Sequence, residues 1–228
     1  MKEANHVEKE KVNAVSTLDA VLVIIVTFFL VLFLGVVFIL ALGTGPALVL
    51  SELLMLIVPI SYMLLKHINI KSYIGLDMKP KFILLGLASG ALVFMLDVIV
   101  SGVLTAIFGV SQAVEESNAT LASLSASTSG LIAVVTALSL AGVCEEFAFR
   151  GFLQNTINRR YSFIPAVIAS SVTFGIFHFD PQLVYTLAAI IAGLALGYIY
   201  HRWNSYVVSA IAHSTVNLIV LATLLLAI

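Results

Sequence analysis

The sequence predicts an all-α, polytopic transmembrane bundle of seven to eight helices around a polar intramembrane cavity. Of its 228 residues, 61% are hydrophobic and only 10% are charged, and the mean hydropathy is +1.13. Soluble domains are roughly half apolar and a quarter charged, so this chain requires the lipid bilayer as its solvent. Only helices or closed barrels satisfy the backbone hydrogen bonds in lipid, and the apolar runs here are too long for barrel strands.

Seven apolar runs are long enough, or nearly so, for the about 20 residues that a membrane-crossing helix needs. The predicted crossings are 18–42, 47–66, 81–109, 130–157, 163–178, 182–201 and 206–227. The fifth run is short, and a break in the last run near 204–212 would give an eighth helix. Residues 18–228 are therefore predicted to form one transmembrane domain, preceded by a charged tail over 1–17. The Ser-, Thr- and Ala-rich stretch 111–129 is predicted to be a loop with at most an amphipathic turn.

The basic residues predict the orientation of these crossings. Every Lys and Arg except Arg150 falls in alternate connections or in the tail, whereas the connections 43–46, 110–129 and 179–181 contain none. By the positive-inside rule the N-terminus is predicted to be cytoplasmic, in a protein integral to the cell membrane. The net charge of −1 leaves no basic surface for nucleic acid, and the single cysteine excludes an intramolecular disulfide. The sequence does not indicate an oligomeric state.

Ionisable side chains within the predicted crossings are the candidates for function. Each costs at least ~2.5–3.5 kcal/mol at the centre of the bilayer. In the N-terminal half, Glu52 is predicted to face water near the end of its crossing, and Asp97 has no assigned role. The other candidates lie in the C-terminal half, where they are accompanied by a polar amide: Glu145, Glu146, Arg150, His178, His213 and Asn217.

Glu145, Glu146 and Arg150 form a charged cluster within the fourth crossing. Glu146 and Arg150 are spaced i,i+4 and are predicted to share one face of the helix, where a guanidinium can pair with a carboxylate. Glu145 lies about 100° further round the helix and can face a cavity. Two acids with one local cation leave one carboxylate free to act as a general base. The structural alternative is a charge cluster that locks helices together.

Two histidines complete the set of polar residues. His178 ends the fifth crossing, and His213 and Asn217 are spaced i,i+4 in the last one. Taken singly, such residues are often interfacial groups or hydrogen-bonding contacts between helices. Taken together, they supply a carboxylate base, an imidazole and a pair of hydrogen-bond donors. That combination favours a site that activates water and stabilises an oxyanion.

Three motifs in these residues resemble a known family. They are Glu-Glu-x-x-x-Arg at 145–150, Phe-x-x-x-His at 174–178 and His-x-x-x-Asn at 213–217. Over about 130–220 the chain resembles the CAAX-protease and bacteriocin-processing family of intramembrane glutamic endopeptidases, which includes the Ras-converting CAAX endopeptidases. The resemblance implies about eight helices around a cavity open to the cytoplasm and the membrane.

The resemblance also implies a role for each matching residue. Glu145 would activate the attacking water, and His178 would help to hold it. His213 and Asn217 would stabilise the tetrahedral oxyanion. No metal and no cofactor is implied.

Glu146 and Arg150 would support this site rather than react. The substrate implied is a peptide or protein, and the sequence leaves open whether it is cut near a prenylated C-terminal cysteine or is a bacteriocin-like peptide. Three alternatives also stay open: a zinc-dependent endopeptidase that uses the same residues, a non-catalytic immunity or scaffold protein, and a proton-coupled transporter.

Overall fold

A computed structural model describes residues 15–227, so residues 1–14 of the tail predicted over 1–17 lie outside the described residues. The described chain is helical throughout, and the predicted all-α bundle is confirmed. Its helices are α1 (Thr17–Leu42), α2 (Thr44–Leu65), α3 (Ile70–Ile74), α4 (Pro80–Phe108), α5 (Gln112–Ser125), α6 (Thr128–Glu146), α7 (Asn155–Arg160), α8 (Phe163–Phe177), α9 (Val184–Trp203) and α10 (Tyr206–Leu226). A π-helical stretch, Phe147–Gln154, joins α6 to α7, and we call it the π segment.

Six helical rods are long and apolar enough to cross a membrane. They are α1, α2, α4, the continuous rod from α6 through the π segment to α7, α9 and α10. The fifth predicted crossing, 163–178, corresponds to α8, which has only 15 residues. At 1.5 Å per residue α8 extends about 22 Å, less than the ~30 Å of the hydrocarbon core. His178, which follows α8, therefore lies within the depth of the bundle.

Two expectations about helix boundaries are wrong. The last crossing is not divided, because α10 runs unbroken over 21 residues and contains neither proline nor glycine. The stretch 111–129 is not a loop, since α5 occupies 14 residues of it. The side chains of Ser111 and Ser127 cap the N-termini of α5 and α6, which satisfies backbone donors that a helix end leaves free.

The two ends of the bundle differ in charge. When α8 is counted with the six rods, successive helices run in opposite directions, so their connections alternate between the two ends. Of the Lys and Arg residues between 15 and 227, all except Arg150 lie at one end, which we call the basic end: Lys66, Lys71, Lys79, Lys81, Arg159, Arg160 and Arg202. The other end, which we call the distal end, carries α5 and the connection 178–183.

The short helix α3 closes the basic end. Its Tyr73 is only 1% exposed, and the Tyr73 hydroxyl lies 2.7 Å from that of Thr156. Arg159 donates a hydrogen bond to the Tyr73 carbonyl at 3.1 Å, and the Tyr200 hydroxyl donates to the Ile74 carbonyl at 3.2 Å. These contacts tie α3 to both α7 and α9.

Gly142 allows α6 and α10 to approach each other closely. A Cβ atom at Gly142 would overlap the hydroxyl and the backbone nitrogen of Ser214, and would lie 2.8 Å from the Ala210 carbonyl oxygen. Small residues allow this kind of backbone approach between transmembrane helices. Because Gly142 is one turn from Glu145 and Glu146, this contact also brings those acids to α10.

We predict that Gly142→Ala lowers the thermal stability of the protein in detergent. The added methyl group meets backbone atoms that cannot rotate away, and overpacking of this kind costs roughly 1–3 kcal/mol. Gly102→Ala is the matched control, because a Cβ atom at Gly102 has nothing within 4 Å. Equal melting temperatures for the two variants would show that α6 and α10 do not depend on this contact.

Candidate active site

A buried ion pair lies at the start of the π segment. Arg150 Nη1 is 2.7 Å from Glu146 Oε1, and both side chains are 0% exposed. The pairing predicted from the i,i+4 spacing is confirmed. The widened winding of a π-helix is often found at functional sites, and here all eight residues of the π segment are buried.

Besides Glu146, two helices contact the Arg150 guanidinium. Its Nη2 donates to the Gly193 carbonyl of α9 at 3.1 Å, and its central carbon lies 4.6 Å from the centroid of the Phe174 ring of α8. One turn further on, Gln154 donates to the Gly197 carbonyl at 2.9 Å. A Cβ atom at Gly197 would lie 2.6 Å from Gln154 Oε1. The two glycines therefore allow α9 to supply carbonyl acceptors to the π segment.

His213 connects α10 to the same carboxylate. Its Nδ1 lies 3.1 Å from Glu146 Oε1, the oxygen that also pairs with Arg150. Because Glu146 is held by a guanidinium, its carboxylate is an acceptor and His213 Nδ1 is the donor. The Phe174 ring packs edge-on against the His213 imidazole, with centroids 5.6 Å apart. Glu146 thus links α6, the π segment and α10.

Glu145 faces the imidazoles of His178 and His213, whereas Glu146 pairs with Arg150. The Oε2 atom of Glu145 lies 3.9 Å from His178 Nε2 and 3.9 Å from His213 Nε2, which is too long for a direct hydrogen bond. This oxygen is buried and accepts no hydrogen bond from any residue in the part of the chain that the structure describes. The Glu145 side chain is 13% exposed. The structure therefore places a buried carboxylate oxygen, without a direct partner, between two imidazoles.

The tautomer of His178 follows from its backbone contact. His178 Nδ1 lies 2.9 Å from the Phe174 carbonyl oxygen. A carbonyl can only accept, so Nδ1 carries a hydrogen and donates it. In the neutral imidazole Nε2 is then an acceptor, and it faces the carboxylate oxygen of Glu145. Two acceptors 3.9 Å apart suit a water molecule that donates a hydrogen to each.

Asn217 lies one turn beyond His213, towards the distal end. Its amide nitrogen donates to the Leu138 carbonyl of α6 at 3.2 Å. Within residues 15–227 no hydrogen bond joins Asn217 to Glu145. The structure thus brings five of the six predicted site residues into one cluster and places Asn217 beside that cluster.

A cavity of about 520 Å³ adjoins the cluster at the distal end. His178 and Asn217 lie in its wall, as does Asp97, whose role the sequence left open. Ser101 donates a 3.5 Å hydrogen bond to Asp97. Most of the remaining wall comes from α4, α5 and α10, with further residues from α6, α8, α9 and the connections 109–111 and 178–183. A cavity is therefore present beside the cluster, with a lining more apolar than polar, and it lies at the end of the bundle away from the basic residues.

Glu52 is a residue near the site that sequence reasoning missed. The expectation that it faces water is wrong, because its Oε2 is buried and accepts no hydrogen bond from the residues described. Its carboxyl group interacts electrostatically with that of Glu145. This proximity depends on the packing of α2 against α6, for which the sequence carries no signal. Phe174, by contrast, could have been found, since it begins the Phe-x-x-x-His motif.

A zinc site needs three or four protein ligands placed around one point. Between residues 15 and 227, no three side chains of His, Cys, Asp or Glu are arranged to hold a metal ion. Glu145, His178 and His213 lie close together, with Glu145 Oε2 3.9 Å from Nε2 of each imidazole. Each imidazole is held in this position by a hydrogen bond at its Nδ1.

Comparison with known proteins gives one match. Residues 126–219 match the family described as type II CAAX prenyl endopeptidase Rce1-like. This range includes all three motifs and every predicted site residue, and the predicted resemblance to the CAAX-protease family is confirmed. No curated protein and no solved structure matches the chain. With its six long apolar helices, the chain is an integral membrane protein in which residues 126–219 are similar to the Rce1-like family.

We predict that Arg150→Met destabilises the protein strongly. Removal of the guanidinium leaves Glu146 buried without its cation, and breaking a buried ion pair in this way costs roughly 3–5 kcal/mol. The double variant Glu146→Gln/Arg150→Met removes both charges and should recover part of that loss. Thermal unfolding in detergent measures both, and a double variant less stable than Arg150→Met would contradict the prediction.

Proposed function

We propose that this chain, whose residues 126–219 match the Rce1-like CAAX prenyl endopeptidases, is an intramembrane endopeptidase in which Glu145 activates the attacking water. One observation carries the proposal. Glu145 lacks a direct partner and lies between two imidazoles, whereas its neighbour Glu146 is neutralised by Arg150. Two adjacent acids therefore have separate roles, one reactive and one structural.

The geometry suits a water molecule held by two acceptors. Such a water would donate one hydrogen to Glu145 Oε2 and the other to His178 Nε2, which leaves its oxygen lone pairs free to attack. As the new C–O bond forms at the peptide carbonyl, Glu145 takes the proton from the water. When the tetrahedral intermediate collapses, the C–N bond breaks and Glu145 returns that proton to the leaving nitrogen. The products are a carboxylic acid and an amine.

His213 and Asn217 are proposed to stabilise the oxyanion. His213 Nδ1 already donates to Glu146, so a second donor at Nε2 requires the imidazolium form. Asn217 uses one amide hydrogen for the Leu138 carbonyl and has a second one for the substrate oxygen.

The proposed substrate is a peptide segment of a membrane-associated or lipidated protein, or a bacteriocin-like peptide. We further propose that the N-terminus is cytoplasmic and that the protein resides in the cell membrane, because the basic residues favour that orientation. A non-catalytic immunity or scaffold protein is the second candidate. Such a protein would not need a buried carboxylate without a hydrogen-bond partner, because such a group lowers the stability of the folded protein.

We predict that Glu145→Gln lowers the rate of peptide hydrolysis ~10²-fold or more, because the amide cannot take a proton from water. The assay follows a fluorogenic farnesylated CAAX peptide and an unlipidated apolar peptide in detergent, with and without a chelator. Glu115→Gln, on the exposed face of α5, is the matched control and should retain full activity.

The outcomes of this assay separate the candidates. Hydrolysis that resists the chelator and is lost in Glu145→Gln supports the proposal. Hydrolysis that the chelator abolishes indicates the metalloenzyme. If Glu145→Gln hydrolyses either peptide as fast as the wild type, the proposed role of Glu145 is wrong.

We predict that Asn217→Ala lowers kcat with little change in KM. A donor that contacts the oxyanion acts mainly in the transition state, and loss of such a donor costs about 10²–10³ in kcat. Ser101→Ala, elsewhere in the cavity wall, controls for a change in the shape of the cavity. A rise in KM at constant kcat would instead assign Asn217 to substrate binding.

A further inference from the structure

We infer that a groove between α4 and α9 binds an anionic phospholipid, whose headgroup phosphate contacts Arg202 and whose acyl chain lies between the two helices. The groove has a volume of about 360 Å³. None of the candidate active-site residues lines it, so lipid binding there does not depend on the proposed hydrolysis.

The two helices contribute matching faces to the groove. The lining residues of α4 are Ser89, Leu92, Val93 and Leu96, and those of α9 are Ala195, Tyr198, Ile199 and Arg202. Each set has the spacing i, i+3, i+4, i+7, which places its members along one face of a helix. Because α4 and α9 run in opposite directions, Ser89 and Arg202 belong to the end of the groove nearer the basic end. At 1.5 Å per residue the groove follows the helices for about 10 Å.

The body of the groove suits a hydrocarbon chain. Leu92 is 67% exposed and Tyr198 is 55% exposed, whereas Val93 is buried and packs with Leu196 and Ala212. The groove therefore has open walls and a closed floor. Water bound along it would find almost no polar partners, so in a bilayer the lining favours an acyl chain.

Arg202 is the one charged residue that lines the groove. Within residues 15–227 its guanidinium pairs with no carboxylate and donates to no carbonyl, whereas Arg159 donates to the carbonyl of Tyr73. Its central carbon lies 4.9 Å from the centroid of the Trp203 ring, a contact that uses none of its five N–H donors. A guanidinium with free donors matches a phosphate, which it can bind through two parallel hydrogen bonds.

The place of Arg202 in the bundle fits a lipid headgroup. Arg202 is the penultimate residue of α9, at the basic end, and its side chain is exposed. Trp203, beside it, is of the residue type that lies at the level of the headgroups. Basic pockets between transmembrane helices on the cytoplasmic side bind anionic headgroups, and the proposed orientation puts the basic end on that side. A choline headgroup would instead place a second positive charge beside the guanidinium.

The fluorescence of Trp203 measures this binding directly. Trp203 is the chain's single tryptophan and lines the groove. The protein is reconstituted in phosphatidylcholine vesicles that contain increasing fractions of phosphatidylglycerol, and in each series only one of the two lipids carries bromine on its acyl chains. Because bromine quenches tryptophan on contact, the quenching reports which lipid lies beside Trp203.

We expect brominated phosphatidylglycerol to quench Trp203 with an about five-fold preference over brominated phosphatidylcholine, since one arginine near an anionic headgroup contributes roughly that factor. Arg202→Gln should abolish this preference. Lys71→Gln is the matched control, because it removes an exposed positive charge at the basic end outside the groove, and it should retain the preference.

The acyl-chain part of the site is tested with a second matched pair. Ala195→Phe places a ring in the groove, whereas Ala106→Phe adds the same ring at an exposed position of α4 outside the groove. We expect Ala195→Phe to lower the quenching by both brominated lipids and Ala106→Phe to leave it at the wild-type value. Thermal unfolding in detergent checks that both variants fold, and Arg202→Gln tests the site on its own if Ala195→Phe does not.

Four outcomes would overturn the inference. The first is equal quenching of the wild type by the two lipids, and the second is a preference that survives Arg202→Gln. The third is an equal loss in Lys71→Gln, which would indicate a general effect of surface charge. The fourth is relief of the quenching by a farnesylated CAAX peptide, which would assign the groove to the lipid of the substrate.

Discussion

The structure around the site depends on the buried ion pair between Glu146 and Arg150. Two charges removed from water cost several kcal/mol each unless further groups satisfy them, and in this bundle those groups come from three other helices. Arg150 binds the Gly193 carbonyl and stacks on Phe174, while Glu146 also accepts from His213. The positions of α8, α9 and α10 relative to α6 are therefore fixed by one pair of charges.

The same ion pair gives the adjacent residues Glu145 and Glu146 different surroundings. Glu146 is neutralised, so it contributes orientation: it holds His213 through Nδ1 and directs the other ring nitrogen towards Glu145. Phe174 does the equivalent for His178 through its backbone carbonyl. Both imidazoles consequently present Nε2 to a carboxylate that neither touches directly. The arrangement of the two imidazoles around Glu145 therefore follows from contacts made at Nδ1, on the far side of each ring.

The sequence predicted those features that depend on neighbours along the chain. The crossings follow from hydropathy, and the Glu146–Arg150 pair follows from i,i+4 spacing, because both are local. The π winding, the burial of Glu52 and the helix α5 were not predicted, since each depends on contacts between segments far apart in the sequence. In particular, α5 is polar and rich in Ser and Thr, and its fixed position depends on Gln182, which is 70 residues away from Gln112.

Close backbone approach connects the stability of the bundle to its chemistry. In lipid, helices gain little from burying apolar side chains, so polar contacts and tight packing hold them together. Gly142 brings α6 against Ser214, the residue next to His213, and Gly193 exposes the carbonyl that Arg150 binds. The residues that pack the helices are thus neighbours of the residues that form the site. A change that loosens this packing is expected also to separate Glu145 from the imidazoles, so under the proposed function a loss of stability and a loss of activity in this region would have the same structural cause.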